Sequence, residues 1–280
     1  MHEVTISVPA TTANLGPGYD CLGVALQIYN RVTVVRAAAP QADAMAAAAA
    51  EKFFAASGAS PFAFSWKITG DVPRARGLGS SVTVRLGLLH GLNELATRPL
   101  TRERLFALCA ELEGHPDNAA PAAFGGFTVA GGAEVARFAV APELRFVLLI
   151  PDFEISTPAA RQVLPAQLDR RAAAQSCANA CRITAAFAAQ NYALLRGAFA
   201  DQLHQPFREK ELIPFLSKVI AAGEQAGALG GFLSGSGSTI CCVTLENPDA
   251  IGAAMLTASG NAGARVVIAQ ADNTGAVILT

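Results

Sequence analysis

Gly77-Leu78-Gly79-Ser80-Ser81 is the stretch of this sequence that decides the fold. Two glycines let the backbone turn tightly and approach a ligand, and Val82, Leu86 and Leu89 follow at helical spacing. The turn therefore opens a helix, whose first amides lack partners within the helix. These free N–H groups and the positive end of the helix dipole predict a cradle for phosphate oxygens. No lysine follows the glycines, which excludes the common Gly-x-x-x-x-Gly-Lys phosphate loop.

The segments on either side of the turn predict a mixture of strands and helices. We expect strands at residues 4–8, ended by Pro9, at 31–35, 64–68, 146–150 and 239–243, and near Val266 and Val277. We expect helices at residues 41–56, after the glycine turn, at 101–114 with Thr101 as N-cap and Gly114 at the end, at 172–199, at 213–226 and after residue 243. This order predicts an α+β layer sandwich with two domains, residues 1–141 and 142–280.

Composition indicates a globular protein that acts on a small molecule. The chain has 280 residues, 52% hydrophobic and 15% charged, which allows two modest cores. The chain has 21 Lys and Arg residues and 22 Asp and Glu residues, which gives a formal net charge of -1. This balance lacks the excess of positive charge that binding to nucleic acid or an anionic membrane surface would need. The sequence shows no cationic start and no apolar run near the roughly 20 residues that span a bilayer. We therefore expect a cytoplasmic protein.

The six cysteines lie in apolar segments without paired framework spacing, so we expect reduced, buried packing residues. Cys177 and Cys181 stand at helical spacing in an alanine-rich stretch without a matching pair of histidines. We therefore predict core packing for this pair and no zinc site.

Two further segments gather polar groups that suit a ligand site. Glu113-Gly114-His115-Pro116-Asp117-Asn118 places a carboxylate, an imidazole and an amide at the end of a predicted helix. Gathering such groups costs free energy unless they coordinate something. Gly230-Gly231-Phe232-Leu233-Ser234-Gly235-Ser236-Gly237-Ser238 adds a second glycine and serine loop just before a strand. Taken alone, each of these segments is equally well explained as a flexible turn.

The three segments, in this order, resemble the signature motifs of the GHMP kinase superfamily, named for galactokinase, homoserine kinase, mevalonate kinase and phosphomevalonate kinase. Within the superfamily, the sequence resembles the homoserine kinases. The likeness covers nearly the whole chain through four further stretches: Pro9 to Asp20 (PATTANLGPGYD), Ala120 to Phe127 (APAAFGGF), Ser156 to Pro165 (STPAARQVLP) and Leu203 to Arg208 (LHQPFR). It implies a two-domain GHMP kinase fold, with an N-terminal α/β domain that carries the phosphate loop and a C-terminal ferredoxin-like α+β sandwich.

The resemblance implies an ATP-dependent kinase. In that family the glycine turn wraps the triphosphate of ATP, which implies nucleotide contacts from Pro73, Gly77, Leu78, Gly79, Ser80 and Ser81. Ser81 and Glu113 would hold Mg²⁺, and a hard cation does prefer a carboxylate and a hydroxyl as ligands. A cation that bridges the β- and γ-phosphates neutralises charge that develops during transfer.

The implied acceptor is L-homoserine, phosphorylated on its side-chain hydroxyl to O-phospho-L-homoserine in threonine biosynthesis. The family's amino-acid site maps onto Asn14, Asp20, His115, Asn118, Arg161 and Arg208. Forked guanidinium groups suit a carboxylate, so the two arginines would grip that of the substrate, while Asp20 would pair with its ammonium group. Asn14 and Asn118 would hydrogen-bond the attacking hydroxyl, with His115 completing the polar wall.

Catalysis is expected to depend on positioning. Some superfamily members place an aspartate as base near the acceptor hydroxyl, whereas the equivalent position here is Asn118, which cannot take a proton. Phosphoryl transfer tolerates this because its loose transition state depends on alignment and charge neutralisation. The expected catalytic residues are Asn14, Asn118, Ser81 and Glu113. His90 and His204 have no evident task in this scheme.

Two places depart from the family's pattern. Small residues usually follow the double serine, whereas this chain has Val82-Thr83-Val84-Arg85. The sequence leaves Arg85 free to reach a phosphate, a helix partner or solvent. The family's asparagine-containing segment that helps to hold adenine has no clear equivalent at residues 64–71.

Two alternative functions stay open. Another kinase of the superfamily would act on mevalonate or a sugar, although the two arginines in their motif contexts favour an acceptor with an α-carboxylate and an amine. A non-catalytic sensor of an amino acid or nucleotide would not need Ser81 and Glu113 as metal ligands. The family likeness also suggests a homodimer.

Overall fold

The structure is a computed structural model that describes residues 2–37, 43–132 and 134–279. Its strands are β1 (Glu3–Ala13), β2 (Leu22–Arg36), β3 (Phe64–Gly70), β4 (Phe127–Gly131), β5 (Glu134–Phe138), β6 (Arg145–Ile150), β7 (Gly230–Leu233), β8 (Ile240–Thr244), β9 (Arg265–Ala269) and β10 (Val277–Leu279). Its helices are α1 (Ala44–Ser57), α2 (Ser80–Leu95), α3 (Arg102–Glu113), α4 (Ala119–Phe124), α5 (Thr157–Gln162), α6 (Arg170–Ala188), α7 (Gln205–Glu211), α8 (Leu216–Gln225) and α9 (Pro248–Ser259). Within those ranges, no helix is long and apolar enough to cross a membrane.

The first half of the chain forms an antiparallel sheet of order β10-β1-β2-β4-β5, with β3 also paired to β2. Strand β2 is long enough to pair with β3 through its C-terminal part and with β4 through its N-terminal part. The prediction that the first strand ends at Pro9 is wrong, because β1 continues to Ala13 through a register shift between Pro9 and Ala10. Such an irregularity accommodates the missing proline N–H. The continued strand carries Thr11 and Thr12 to the glycine turn.

Helices α2 and α4 pack on this sheet, α1 and α3 pack against these helices and each other, and together they enclose the first core. Helix α2 lies against β1 and β2 and buries Val82, Leu86 and Leu89, which confirms the helix predicted from their spacing. Phe53 of α1 and Phe106 of α3 are fully buried in the same core. The glycine turn is therefore anchored by a helix that belongs to the centre of this layer.

Polar residues define the ends of the first helices. Asp43 caps α1 by accepting a hydrogen bond from Ala46 N, and the predicted start at Gln41 lies outside the described residues. Thr101 caps α3, and Gly114 ends it in a left-handed conformation, as predicted. Because α3 stops at that glycine, Glu113 lies at the end of the helix.

The second half forms a four-stranded antiparallel sheet of order β7-β8-β6-β9, with α8 and α9 packed against it. The first of these strands, β6, lies between β8 and β9, and its near-continuous burial agrees with the apolar run at residues 146–150. A strand, helices, a strand pair, a helix and a last strand in this spatial order form a ferredoxin-like α+β sandwich. The predicted fold class is therefore confirmed.

Two predicted helices of the second half differ from the observed ones. The segment 172–199 holds the shorter helix α6 and then a short 3₁₀ turn, because Gln190 adopts a positive φ of 50°. The segment 213–226 becomes helical later than predicted, at the start of α8. Pro214 explains this delay, because a proline disfavours the helical conformation of the residue before it, here Ile213.

The predicted burial of Cys177 and Cys181 is wrong, because both side chains are exposed on α6. Helix α6 turns another face, with Ile183 and Phe187, toward the core. In an alanine-rich helix the sequence does not single out one apolar face. The remaining cysteines are buried or half-buried and, like this pair, are free thiols: Cys21, Cys109, Cys241 and Cys242.

One hydrophobic core is shared by the two halves. Leu22 of β2 and Phe146 of β6 belong to the same buried cluster. Phe127 of β4 stacks on Phe187 of α6 with 4.2 Å between the ring centroids. The two sheets are therefore joined by packed side chains.

The chain also returns from the second half to the first. The sheets change between β5 and β6, but β10 pairs with β1 and so lies in the first sheet. The strand predicted near Val277 exists, although its residues fall within the range 142–280 that the sequence assigned to the second domain. The division at residue 142 stays a prediction, with 277–279 as a segment that crosses it.

Candidate active site

A cleft of about 880 Å³ opens between the glycine turn and the loops of the second half. Its walls come from segments far apart in the chain: the loop after β1, the turn and first residues of α2, the segment between α3 and α4, the helices α5 and α7, and the loop after β7. The motifs at residues 77–81, 113–118 and 230–238 therefore meet around one space.

The two glycines of the turn are required by the packing of neighbouring loops. Gly77 and Gly79 have φ values of 71° and 69°. A Cβ at Gly79 would lie 2.1 Å from Thr11 Oγ1, and one at Gly77 would lie 2.1 Å from Ser234 O. Hydrogen bonds from Ser234 Oγ to Gly77 O, 2.7 Å, and from Thr11 N to Leu78 O, 3.2 Å, hold the loops together. The turn is thus fixed from both halves of the molecule.

Helix α2 begins at Ser80 directly after the turn, and no side chain caps it. Ser80 and Ser81 line the cleft, so the unpaired amides and the positive end of the helix dipole lie beside it. This arrangement suits phosphate oxygens. Pro73, which was predicted to contact the nucleotide, borders a separate small pocket instead. The Leu78 side chain is buried in the core, so the contact predicted for this residue could come only from its backbone.

Glu113 lies at the end of α3 against the first turn of α2. Ser81 Oγ donates to Glu113 Oε2 at 2.9 Å, and Arg85 Nη1 donates to Glu113 Oε1 at 2.6 Å. The Glu113 side chain is 8% exposed, on the wall of the cleft. A carboxylate and a hydroxyl this close, beside an anion-binding helix start, form a donor set that fits Mg²⁺. Arg85, whose reach the sequence left open, contacts a helix partner.

The segment before α4 holds a buried polar cluster. His115 Nδ1 and Asp117 Oδ1 are 2.5 Å apart, and Asn118 N donates to Asp117 Oδ1 at 2.9 Å. Thr11 Oγ1 donates to Asn118 Oδ1 at 2.7 Å. Burial opposes protonation of His115, but the hydrogen bond and charge of Asp117 outweigh it and raise the pKa of His115. Sequence reasoning gave Asp117 no role, although it is the second carboxylate of the quoted motif, after Glu113.

The loop after β1 positions Asn14 and Asp20, whose φ values are 70° and 58°. Asn14 Nδ2 donates to Gly235 O at 2.9 Å, and Asn14 Oδ1 accepts from Asp20 N at 3.0 Å. Arg161 Nη2 donates to Asp20 Oδ1 at 2.8 Å, and Arg161 Nη1 donates to Tyr19 Oη at 2.9 Å. The two side chains predicted to bind the opposite charges of an amino acid therefore contact each other.

Arg208 is a buried cation on the cleft wall, only 2% exposed. Its Nε donates to Ala160 O at 3.1 Å, and its Nη1 donates to Gly235 O at 2.9 Å and to His204 Nδ1 at 3.1 Å. These three partners are neutral, and no carboxylate within the described ranges forms an ion pair with Arg208. Burial lowers the pKa of Arg208. Its Nη2, which none of these bonds uses, is the donor left for a ligand.

His204 determines how Arg208 is held. Its Nε2 lies 2.8 Å from Gly16 O, and because a carbonyl only accepts, Nε2 carries the proton and Nδ1 accepts from Arg208. Burial lowers the pKa of His204, which keeps the imidazole neutral. The backbone N–H of His204 donates to Asp201 Oδ2 at 2.9 Å. Sequence reasoning gave His204 no task, although the spacing of four residues to Arg208 was a usable signal.

The other end of the cleft is apolar. Trp66 and Ile68 of β3 and Met45 of α1 line it. Trp66 and Ile68 are two residues apart and so lie on one face of the strand. No base-binding segment was recognised at residues 64–71, and the available signal was this pair of large apolar residues on a strand, of which Ile68 is 39% exposed.

Most of the predicted site residues are brought together. Those that line the cleft are Asn14, Asp20, Gly77, Gly79, Ser80, Ser81, Glu113, His115, Asn118, Arg161 and Arg208. An anion-binding helix start, a serine–glutamate pair beside it and a cationic pocket opposite are the parts that phosphoryl transfer to a small acid requires. The fold and the cleft thus define a nucleotide-dependent kinase for small molecules.

The comparisons with known proteins narrow this class. Two family models match the chain, the GHMP kinases N terminal domain at residues 44–126 and the GHMP kinases C terminal model at residues 183–262. A homoserine kinase of Synechococcus sp. is 40% identical, with 91% of this chain and 90% of the relative covered. A homoserine kinase of Caldicellulosiruptor bescii is 34% identical, with 99% and 97% covered. The chain belongs to the GHMP kinase family.

Solved structures share the fold. The crystal structure of a homoserine kinase from Cytophaga hutchinsonii matches with a TM-score of 0.90 at 24% identity, covering 100% of this chain and 98% of that one. A mevalonate kinase matches with a TM-score of 0.70 at 13% identity, covering 96% and 99%. Because kinases for different acceptors have this fold, the acceptor has to be argued from the side chains of the cleft.

Proposed function

We propose that this protein transfers the γ-phosphoryl group of ATP to the side-chain hydroxyl of L-homoserine, giving O-phospho-L-homoserine. The observation that carries the choice of acceptor is Arg208, a buried guanidinium on the cleft wall whose hydrogen-bond partners are neutral. Burying a charge without a counter-ion is costly, and the carboxylate of an amino acid would supply that counter-ion. The relatives at 40% and 34% identity, both homoserine kinases, support the same acceptor.

The zwitterionic end of homoserine fits the pair of Arg161 and Asp20. Arg161 would exchange Asp20 for the substrate carboxylate, and Asp20 would take the ammonium group. The two side chains are 39% and 33% exposed, and such an ion pair is worth about 0–1 kcal/mol, so the exchange costs little. Ligand atoms of Asp20, His115 and Asp117 lie within 4.8 Å of one another, so two carboxylates stand near the place where the ammonium group would lie.

The nucleotide would lie along the rest of the cleft. The turn at Gly77 and Gly79 and the start of α2 would bind the phosphates, and the apolar end with Trp66 and Ile68 would hold the base. Ser81 and Glu113 would hold Mg²⁺, which supplies charge neutralisation between the β- and γ-phosphates when bound. This arrangement points the triphosphate from the apolar end toward the amino-acid end.

Catalysis would rest on alignment. The hydroxyl oxygen of homoserine bonds to the γ-phosphorus while the bond from that phosphorus to the β–γ bridging oxygen breaks, and the hydroxyl proton leaves late to phosphate or solvent. Asn14 and Asn118 would orient the hydroxyl. Asp117 is the carboxylate next to Asn118, but its Oδ1 already accepts from His115 and from two N–H groups of Asn118. The proposal therefore needs no side-chain base.

The quaternary state is also a proposal. In the single chain, three large apolar residues of the second half are 37–44% exposed: Leu245, Leu256 and Ile268. We expect a homodimer that buries these side chains. Sedimentation velocity should give a dimer mass, and a monomer mass at micromolar concentration would contradict this expectation. A cytoplasmic location and the lack of a nucleic-acid partner stay predictions from the sequence.

An acceptor panel tests the proposed function. ADP release is measured with homoserine, mevalonate, galactose and shikimate at equal concentrations, with Mg²⁺ and ATP. Homoserine is expected to be turned over far faster than the other three. Turnover of another acceptor while homoserine fails would overturn the choice of substrate. Calorimetric binding of nucleotide without ADP release from any acceptor would instead support a sensor on this fold.

A further inference from the structure

Arg85 joins the helix that carries the phosphate turn to the helix that carries Glu113. Its Nη1 donates to Glu113 Oε1 at 2.6 Å and to Leu112 O at 2.8 Å. The Arg85 side chain is 24% exposed and the Glu113 side chain 8%. Arg85 is thus a charged group in direct contact with the carboxylate proposed to bind the metal.

Ser81 and Arg85 each donate a hydrogen bond to a different carboxylate oxygen of Glu113. They are four residues apart on α2 and so project from one helix face. Ser81 takes Oε2 and Arg85 takes Oε1. Ser81 and Glu113 belong to the cleft wall, whereas Arg85 does not contribute to it in the described chain. Arg85 therefore stands behind Glu113 and leaves Oε2 on the side of the cleft.

We infer that Arg85 is a positioning residue that presents Glu113 to the metal through Oε2 alone and cancels its charge, so that a divalent cation binds this site weakly unless the nucleotide is present. This inference rests on the proposed metal site at Ser81 and Glu113. It assigns a role to the residue at which the sequence departs from its family.

The electrostatic argument concerns the protein without nucleotide. An isolated carboxylate attracts a divalent cation, but the Glu113–Arg85 pair has no net charge, and the guanidinium repels the same cation. A bound triphosphate brings several negative charges and restores the attraction. Removing only the charge of Arg85 should therefore tighten metal binding to the nucleotide-free protein. The loss of support for Glu113 acts in the opposite direction, and we expect it to be smaller than the effect of the charge on metal affinity. A role of Arg85 without the charge effect predicts weaker metal binding in the neutral variants.

Titration of the nucleotide-free protein with Mn²⁺, followed by the EPR signal of the free ion, tests the inference. Arg85→Met is expected to bind Mn²⁺ about tenfold more tightly than the wild type. Arg85→Lys keeps the charge and should stay within about twofold of the wild type. Turnover of Arg85→Met with Mg²⁺ and ATP should nevertheless fall about tenfold or more, because Glu113 is no longer held in one orientation.

Arg98→Met is the matched control. Arg98 Nε pairs with Glu94 Oε2 at 2.8 Å near the far end of α2, and Glu94 is 7% exposed, close to the value for Glu113. This variant removes an Arg–Glu pair of α2 away from the cleft, although Arg98 is 67% exposed against 24% for Arg85, and it should leave Mn²⁺ affinity unchanged. Arg85→Gln, neutral and still a donor, repeats the charge test if circular dichroism shows that Arg85→Met does not fold.

The outcomes separate this inference from the function on which it rests. Mn²⁺ affinity that is unchanged or weaker in the folded neutral variants of Arg85 overturns the inference. Glu113→Gln tests the metal site itself, by the affinity for Mn²⁺ with ADP. A loss of that affinity keeps the proposed site, whatever Arg85 does. No change in Glu113→Gln would remove both the metal site and the role of Arg85.

Discussion

Replacing Arg208 by methionine should weaken the use of homoserine far more than the use of ATP. Arg208 is 2% exposed and lines the cleft, so a substrate carboxylate bound to it would be almost fully desolvated. Losing one partner of such a pair costs about 2–5 kcal/mol. At about 1.4 kcal/mol per factor of ten, kcat/KM for homoserine should fall about 30-fold to 5,000-fold. The KM for ATP should change little.

The same reasoning predicts that replacing Arg161 lowers kcat/KM for homoserine less than replacing Arg208. Arg161 is 39% exposed and already pairs with Asp20, so Arg161→Met should cost only about 1 kcal/mol, or about fivefold in kcat/KM. The assay is coupled ADP release with homoserine varied at saturating ATP, after circular dichroism has shown that each variant folds. An effect of Arg161→Met larger than that of Arg208→Met would contradict the burial argument.

An acceptor without a carboxylate isolates the contact. 3-Aminopropan-1-ol has the amine and the hydroxyl of homoserine but lacks the carboxylate. The wild type should use it at least as poorly as Arg208→Met uses homoserine, because the contact of Arg161 with the carboxylate is lost too, and Arg208→Met should show little further loss with it. Unchanged KM for homoserine in both arginine variants would refute the assignment of the carboxylate.

Three further predictions concern the turn, the metal site and acid stability. Ser81→Ala should lower kcat about 100-fold with an unchanged KM for homoserine in steady-state kinetics. If Ser81 bound homoserine instead, the KM for homoserine would rise and kcat would change little. Gly79→Ala would place Cβ 2.1 Å from Thr11 Oγ1, so calorimetry should give at least about tenfold weaker ADP binding, and wild-type affinity would contradict the packing argument. Burial lowers the pKa of His90 from 6.5 to about 4, and its Nε2 has no hydrogen-bond partner among the described residues. Below pH 6.5 the unfolded chain binds a proton at this residue that the native chain does not, so His90 alone should lower the stability by about 3 kcal/mol between pH 6.5 and 4. Urea unfolding should show that the stability of His90→Gln falls less steeply between pH 6.5 and 4 than that of the wild type. Equal pH dependence in the two proteins would exclude His90 as the cause.

The site was predictable where its chemistry lies within short motifs. The sequence predicted that Ser81 and Glu113 lie together, and they are 2.9 Å apart, because each stands at a helix end whose position the sequence marks with glycines. Arg85 could not be placed from the sequence. Its contact depends on where the end of α3 lies beside α2, which is a property of tertiary packing. For His204, the sequence offered the spacing to Arg208, but the proton on Nε2 could be placed only once Gly16 O was found beside the ring.

The strands and helices were predictable in kind but less so in extent. Pro9 indicated a strand end by local rules, yet tertiary pairing with β2 carries β1 past it. The position of β10 in the first sheet depends on a pairing with residues near the other end of the chain, and periodicity carries no information about that partner. The exposure of Cys177 and Cys181 escaped prediction because alanine suits either face of a helix.

The core shared by the two sheets bears on how the molecule moves and melts. Phe127 of the first half stacks on Phe187 of the second half, so a rotation that separates the halves would break this contact and expose part of the shared core. A hinge motion between the halves is therefore disfavoured. We expect substrate to enter through local rearrangements, such as the exchange of Arg161 from Asp20 to the carboxylate of the substrate. For the same reason, heating should give one cooperative transition in calorimetry, and neither half expressed alone should hold its structure.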